Sequence, residues 1–211
     1  MLKKIAIGLG VVLAVLVTVI ALQPSEFMIE RSATINAPAD IIYAQIEDLH
    51  AWEAWSPWAK MDPNMKSTYE GPNSGVGAVT AWEGPEAGKG RMEITAVKPN
   101  QEVDIKLEFL EPMQATDRAL FSLTESNATT TVTWRMEGNN NFVGKGFALF
   151  MNMDKMVGSD FEKGLAAMKT IAEGAAQKRE AERAAAQAAA VAAQQATPTP
   201  AAAESPTPNK H

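Results

Sequence analysis

The chain has 211 residues, a net charge of −6 and no cysteine. An acidic balance with no basic block longer than a pair excludes a nucleic-acid surface, because phosphate binding needs clustered Lys and Arg. Without cysteine there are no disulfides, thiolate zinc sites or cysteine nucleophiles. His211 is terminal, so a metal cluster or a Ser–His–Asp triad would have to be built on His50 alone; no metal and no cofactor are expected.

Residues 1–4 include Lys3 and Lys4, which precede an uncharged run from Ile5 to Leu22. As a helix, the run covers about 27 Å of the ~30 Å hydrocarbon core of a bilayer. It exceeds a signal-peptide core, and Ala21-Leu22-Gln23 is a poor cleavage site. The run therefore reads as a single-pass transmembrane anchor at 5–22. Lys3 and Lys4 hold the N-terminus in the cytoplasm, and the folded part lies on the extracytoplasmic side of the cytoplasmic membrane. A cleaved signal peptide is the alternative.

Residues 23–26 form a linker. Phe27 to Asn36 alternates as a strand, imperfectly at Arg31. Pro38 suits the first turn of a helix over Ala39 to Asp48. A second short helix, Leu49 to Trp55, stops before Ser56-Pro57, because the residue ahead of a proline disfavours the α region. The period then changes to two. Strands are expected over Met65 to Glu70, Val76 to Glu83, Arg91 to Lys98, Glu102 to Leu110, Ala115 to Thr124 and Thr129 to Glu137. The clearest is Glu102 to Leu110, where Val103, Ile105, Leu107 and Phe109 alternate with charged residues, as in a sheet with one dry face.

Gly144 to Glu173 carries an apolar stripe, Phe147, Phe150, Met151, Val157, Phe161, Leu165, Met168 and Ile171, at steps of three and four with one step of six. One helix over this span would be about 45 Å long, and the stripe needs a broad apolar partner. A run of strands followed by a helix indicates α+β. Residues 174–195 are Ala- and Gln-rich, helix-prone but with little to bury. Residues 196–211, ATPTPAAAESPTPNKH, read as a disordered tail.

This order, with WEAWSPW at Trp52 to Trp58, GVGA at Gly75 to Ala78, TTTVTW at Thr129 to Trp134 and KMVGSDFEKGLAAMK at Lys155 to Lys169, resembles the START-like superfamily. It is closest to the polyketide cyclase/dehydrase and lipid transport (SRPBCC) group, over residues 27–173. The resemblance implies a helix-grip fold, a curved antiparallel sheet wrapped around the C-terminal helix with an apolar cavity between them. Members bind lipids, sterols, polyketides or other hydrophobic ligands, and a minority are cyclases or hydrolases; the fold alone does not decide activity.

Large side chains that could line such a cavity are Trp52, Trp55, Trp58, Tyr69, Trp82, Met92, Phe109, Phe121, Trp134, Phe147, Phe150 and Met151. The tryptophans are read either as walls of a cavity mouth with their indole N–H groups wet, or as plain core packing. Three polar residues are weak catalytic candidates. Asp154 lies in the stripe and is read first as the N-cap of a helix broken near Asn152. Asp117 shares its parity with Ala119 and Phe121 but is expected in solvent at a strand end. His50 is expected on the surface at the junction of the short helices. The leading expectation is a membrane-tethered binder of a hydrophobic small molecule or lipid, with no nucleic-acid partner and with enzyme activity left open. The alternatives are an envelope interaction module with a filled core, and an enzyme of the cyclase or hydrolase kind.

Overall fold

The computed structural model describes residues 1–195; the expectation for 196–211 lies outside the described residues. α1 (Leu2–Leu22) has a mean hydropathy of 3.0 and buries none of its residues, so it is long and apolar enough to cross a membrane. After a three-residue connection come β1 (Glu26–Ile35), α2 (Ala39–Glu47), α3 (Trp52–Trp55) and α4 (Pro57–Met61). The strands β2 (Lys66–Glu70), β3 (Val79–Gly84), β4 (Gly88–Lys98), β5 (Glu102–Glu111), β6 (Ala115–Ser126) and β7 (Thr129–Asn139) follow, then α5 (Phe142–Phe150) and α6 (Met153–Gln195). The chain divides into two compact units, Met1–Ala176 and a second one from Gln177 onward.

The seven strands form one antiparallel sheet in the order β1-β7-β6-β5-β4-β3-β2. Strands two to seven pair with their neighbours in sequence. β1 pairs instead with the last strand, in register from Glu26↔Asn139 to Ile35↔Thr130. One face of this sheet is dry: Ile29, Ile35, Ile94, Val103, Ile105, Ala119, Phe121, Leu123, Val132, Trp134 and Met136 are buried on it. Phe161, Leu165, Met168 and Ala172 of α6 complete the same core. This is the α+β arrangement expected from a run of strands followed by a helix, and the helix-grip fold that the resemblance implies.

Polar bonds fix α6 along β1. Arg31 donates to Asp154 at 3.1 Å and to Glu162 at 2.8 Å, Lys169 donates to the Thr34 carbonyl, and Glu173 accepts from the Asn36 N–H. Arg31 pairs in register with Trp134, so it sits on the inner face. Its interruption of the strand alternation thus marks a residue facing the helix. Gly164 allows the close approach at the centre: a Cβ there would lie 3.0 Å from the Trp134 ring and 3.2 Å from Pro57.

Of the two readings of Gly144–Glu173, one helix or a helix broken near Asn152, the structure has the break. The helix ends at Phe150 and a new one begins at Met153. Asn152 caps the second helix, its Oδ1 accepting from the Lys155 N–H at 2.8 Å, so the cap is not Asp154. α4 is a further turn of helix beyond the two expected, started by Pro57 at its first position.

Candidate ligand-binding face

The inner face of the sheet has two ends of different character. At the first, α3 and α4 fold over β6 and β7. Trp134 stacks on Phe161 with centroids 4.1 Å apart and planes 5° from parallel. Trp52, Trp55 and Trp58 each meet the Trp134 ring edge-on, at 6.0, 5.5 and 5.6 Å, while Phe121 also stacks on it, at 4.9 Å. Such offset and edge-on pairs add about 0.5–1.5 kcal/mol each beyond area burial.

The indoles of Trp52 and Trp55 donate to the carbonyls of Ile46 and Gln45, both at 2.9 Å. These carbonyls belong to the last turn of α2, where acceptors have no partner within the helix. The two indole N–H groups are thus bonded to protein rather than left wet. Trp58 is half-buried at the rim. Trp134 Nε1 is buried and has no hydrogen-bond partner among the described residues.

At the second end the cover is thinner. A register row runs across the sheet through Tyr69, Thr80, Met92, Leu107 and Asp117. Met92, Leu107 and, one row on, Phe109 are only half-buried, although they pack on the core. Trp82 is on this inner face. Its ring lies over Gly90 and meets Phe109 edge-on at 6.1 Å, with its N–H on the Ala87 carbonyl.

Asp117 closes the row and corrects its sequence reading. It is only 7% exposed rather than in solvent, and its Oδ1 is buried without a partner among the described residues. Burial pushes the carboxyl up to about 6, since no cation or donor compensates the lost hydration. Gly138 on the neighbouring strand makes room for it, because a Cβ there would collide with the carboxyl and sit 3.0 Å from the Phe27 ring. The signal for Asp117 was its parity with Ala119 and Phe121, outweighed by its position near a strand end.

The three polar candidates do not converge. Asp154 is exposed and held below the ordinary carboxylate range by its hydrogen bond with Arg31. His50 stacks on Tyr69 at 3.9 Å and bonds Asp48. Tyr69 stands four strand spacings, roughly 19 Å, from Asp117. No group of three or more metal-ligating side chains occurs among the described residues.

Phe147, Phe150 and Met151, expected in the cavity, are exposed on α5 and just after it; Phe150 is 79% exposed. One hollow is lined by Asn152, Lys155, Met156, Ser159, Asp160 and Lys163. No strand residue lines it. The helix–sheet space at the tryptophan end is filled by side chains.

The family model described as polyketide cyclase/dehydrase and lipid transport matches residues 26–173. Among solved structures, protein CV1439 of Chromobacterium violaceum is similar with a TM-score of 0.52 at 12% identity, over 69% of this chain and 96% of that one. Protein MLL2253 of Mesorhizobium loti shows the same TM-score and the same coverages at 14% identity. Protein Mll3558 of Rhizobium loti does so at 14% identity over 71% and 99%. At these identities the likeness concerns the fold. No curated protein matches the chain.

Proposed function

The chain belongs to the polyketide cyclase/dehydrase and lipid transport family, and on that premise we propose that it is a membrane-tethered binder of a hydrophobic small molecule or lipid, held at the Asp117 end of the inner face. The observation that carries the reading is the asymmetry of that face. Aromatic rings pack one end, while at the other half-buried Met92 and Leu107 share a row, and Phe109 the next row, with a carboxyl that has an unpartnered oxygen. Apolar side chains with one or two polar groups are what a pocket for a hydrophobic ligand requires. Protonated Asp117 would donate to a carbonyl or hydroxyl of the ligand, and ionised it would accept. Flexible Met92 suits an adaptable wall. α1 supplies the tether.

The test is native mass spectrometry of the full chain purified in mild detergent, with titration of the apolar fluorophore N-phenyl-1-naphthylamine. Copurified apolar ligand, or saturable probe binding weakened by Phe109→Ala and Asp117→Leu, is expected. Failure to recover or load any apolar molecule overturns the reading. The packed Trp134–Phe161 stack favours a second reading, a non-catalytic interaction module with a filled core, and that outcome would leave it standing.

A further inference from the structure

α5 buries none of its residues. Phe142, Val143, Phe147 and Phe150 are exposed along it and Met151 directly after it, between 42% and 79%. The segment has no acidic residue in its first turn, and its one charge is Lys145. An apolar helical face of this kind on a folded domain marks an interaction surface.

The chain topology names the occupant. α1 ends at Leu22 and β1 begins at Glu26, a connection that spans at most about 14 Å when fully extended. Glu26 pairs with Asn139, the last residue of β7, and α5 starts three residues later. The Ser25 carbonyl accepts from the Asn140 N–H at 2.7 Å, which ties the end of the connection to the entry of α5. α5 touches α1 directly: Ile20 Cδ1 lies 3.7 Å from where a Gly146 Cβ would be. Ile20 is in the last turn of α1, where a membrane-crossing helix leaves the hydrocarbon.

We propose that α5 seats in the headgroup–acyl boundary of the bilayer crossed by α1, as a second, interfacial membrane contact of the domain. Its aromatic face takes up acyl chains, as apolar faces of interfacial helices do, and Lys145 is compatible with anionic headgroups. The contact holds the base of the sheet against the membrane. Phe27 and Gly138 flank Asp117 at that same base, so the thinly covered end of the inner face is turned toward the lipid. An apolar ligand would then reach it from the bilayer without crossing water. This inference rests on the reading of α1 as a membrane span.

The chain has no cysteine, so single cysteines report cleanly. Phe150→Cys in α5, Val12→Cys in α1 and Ser126→Cys at the opposite end of the sheet are each labelled with bimane. The full chain is reconstituted in phosphatidylcholine–phosphatidylglycerol vesicles carrying doxyl quenchers either just below the headgroups or deep in the acyl region. The expected result is loss of about half the Phe150→Cys signal with the shallow quencher, strong deep quenching at Val12→Cys, and no quenching at Ser126→Cys. Quenching at Val12→Cys without any at Phe150→Cys overturns the α5 contact and leaves the anchor intact. Absence of quenching at Val12→Cys overturns the anchor, and the inference with it.

Discussion

Asp117 offers the sharpest quantitative test of this structure. Its carboxyl is pushed up from 3.8 to about 6 by burial alone. The folded state therefore holds the proton more tightly than the unfolded chain does. Well below pH 3.8 both states are protonated and the group is neutral to stability. Between pH 4 and 6 the unfolded chain has lost its proton and the folded one has not, so stability falls as pH rises, by about 1.4 kcal/mol per pH unit. Above pH 6 the penalty is complete, at about 3 kcal/mol. Asp117→Asn removes the titration while keeping the shape that Gly138 accommodates. The measurement is denaturant unfolding of the full chain and the variant in detergent, followed by tryptophan fluorescence; all five tryptophans lie in the folded domain. The stability of the variant relative to the wild type should rise by about 2–3 kcal/mol between pH 4 and pH 8. A fixed cost of burying the amide shifts this difference equally at every pH. Asp62, Glu108, Asp154 and Glu173, which are held below their ordinary range, act alike in both proteins and cancel. A difference that stays constant from pH 4 to pH 8 would refute the reasoning and place a hydrated, ordinary carboxylate at 117.

Three further outcomes follow from the packing. Trp134→Ala should destabilise by about 3–5 kcal/mol through the cavity left among the rings, whereas Trp134→Phe, which keeps a stacking ring and removes the unpartnered N–H, should stay within about 1.5 kcal/mol; thermal unfolding separates the two. Gly138→Ala should cost about 1–3 kcal/mol by overpacking against Asp117 and Phe27, and less in an Asp117→Ala background, a coupling that a double-mutant cycle reads directly. Asn152→Ala should cost about 0.5–2 kcal/mol by uncapping α6, with hydrogen exchange speeding first at Lys155 and its neighbours.

The strand content was legible because it rests on period-two alternation, which burial of one face enforces. β5 is the clearest instance, its inward Val103 and Ile105 fully buried. The helix break was written in the stripe as well. The one step of six, Met151 to Val157, spans the point where α5 ends and α6 begins. Periodicity groups residues onto a face but cannot say which neighbour that face meets. Phe147 and Phe150 were therefore assigned to the sheet, although they are exposed on α5 beside α1. Trp52 and Trp55 were undecided for a related reason: a ligand wall and a core wall use the same residue types. Their indole bonds to α2 show where the N–H groups go. Asp117 was misread because strand ends are usually wet, and no local pattern reveals that Gly138, across the ladder, opens space for a carboxylate.

The pairing of the first strand with the last has a consequence for how the protein is made. Glu26 emerges from the ribosome about 110 residues ahead of Asn139, its ladder partner. At ~5–20 residues per second this is a delay of several seconds or more. Throughout that interval β1 lacks its final neighbour, and Arg31 has neither Asp154 nor Glu162 to bind. Until then the edge of β1 is open, the kind of edge at which strands of separate copies mispair.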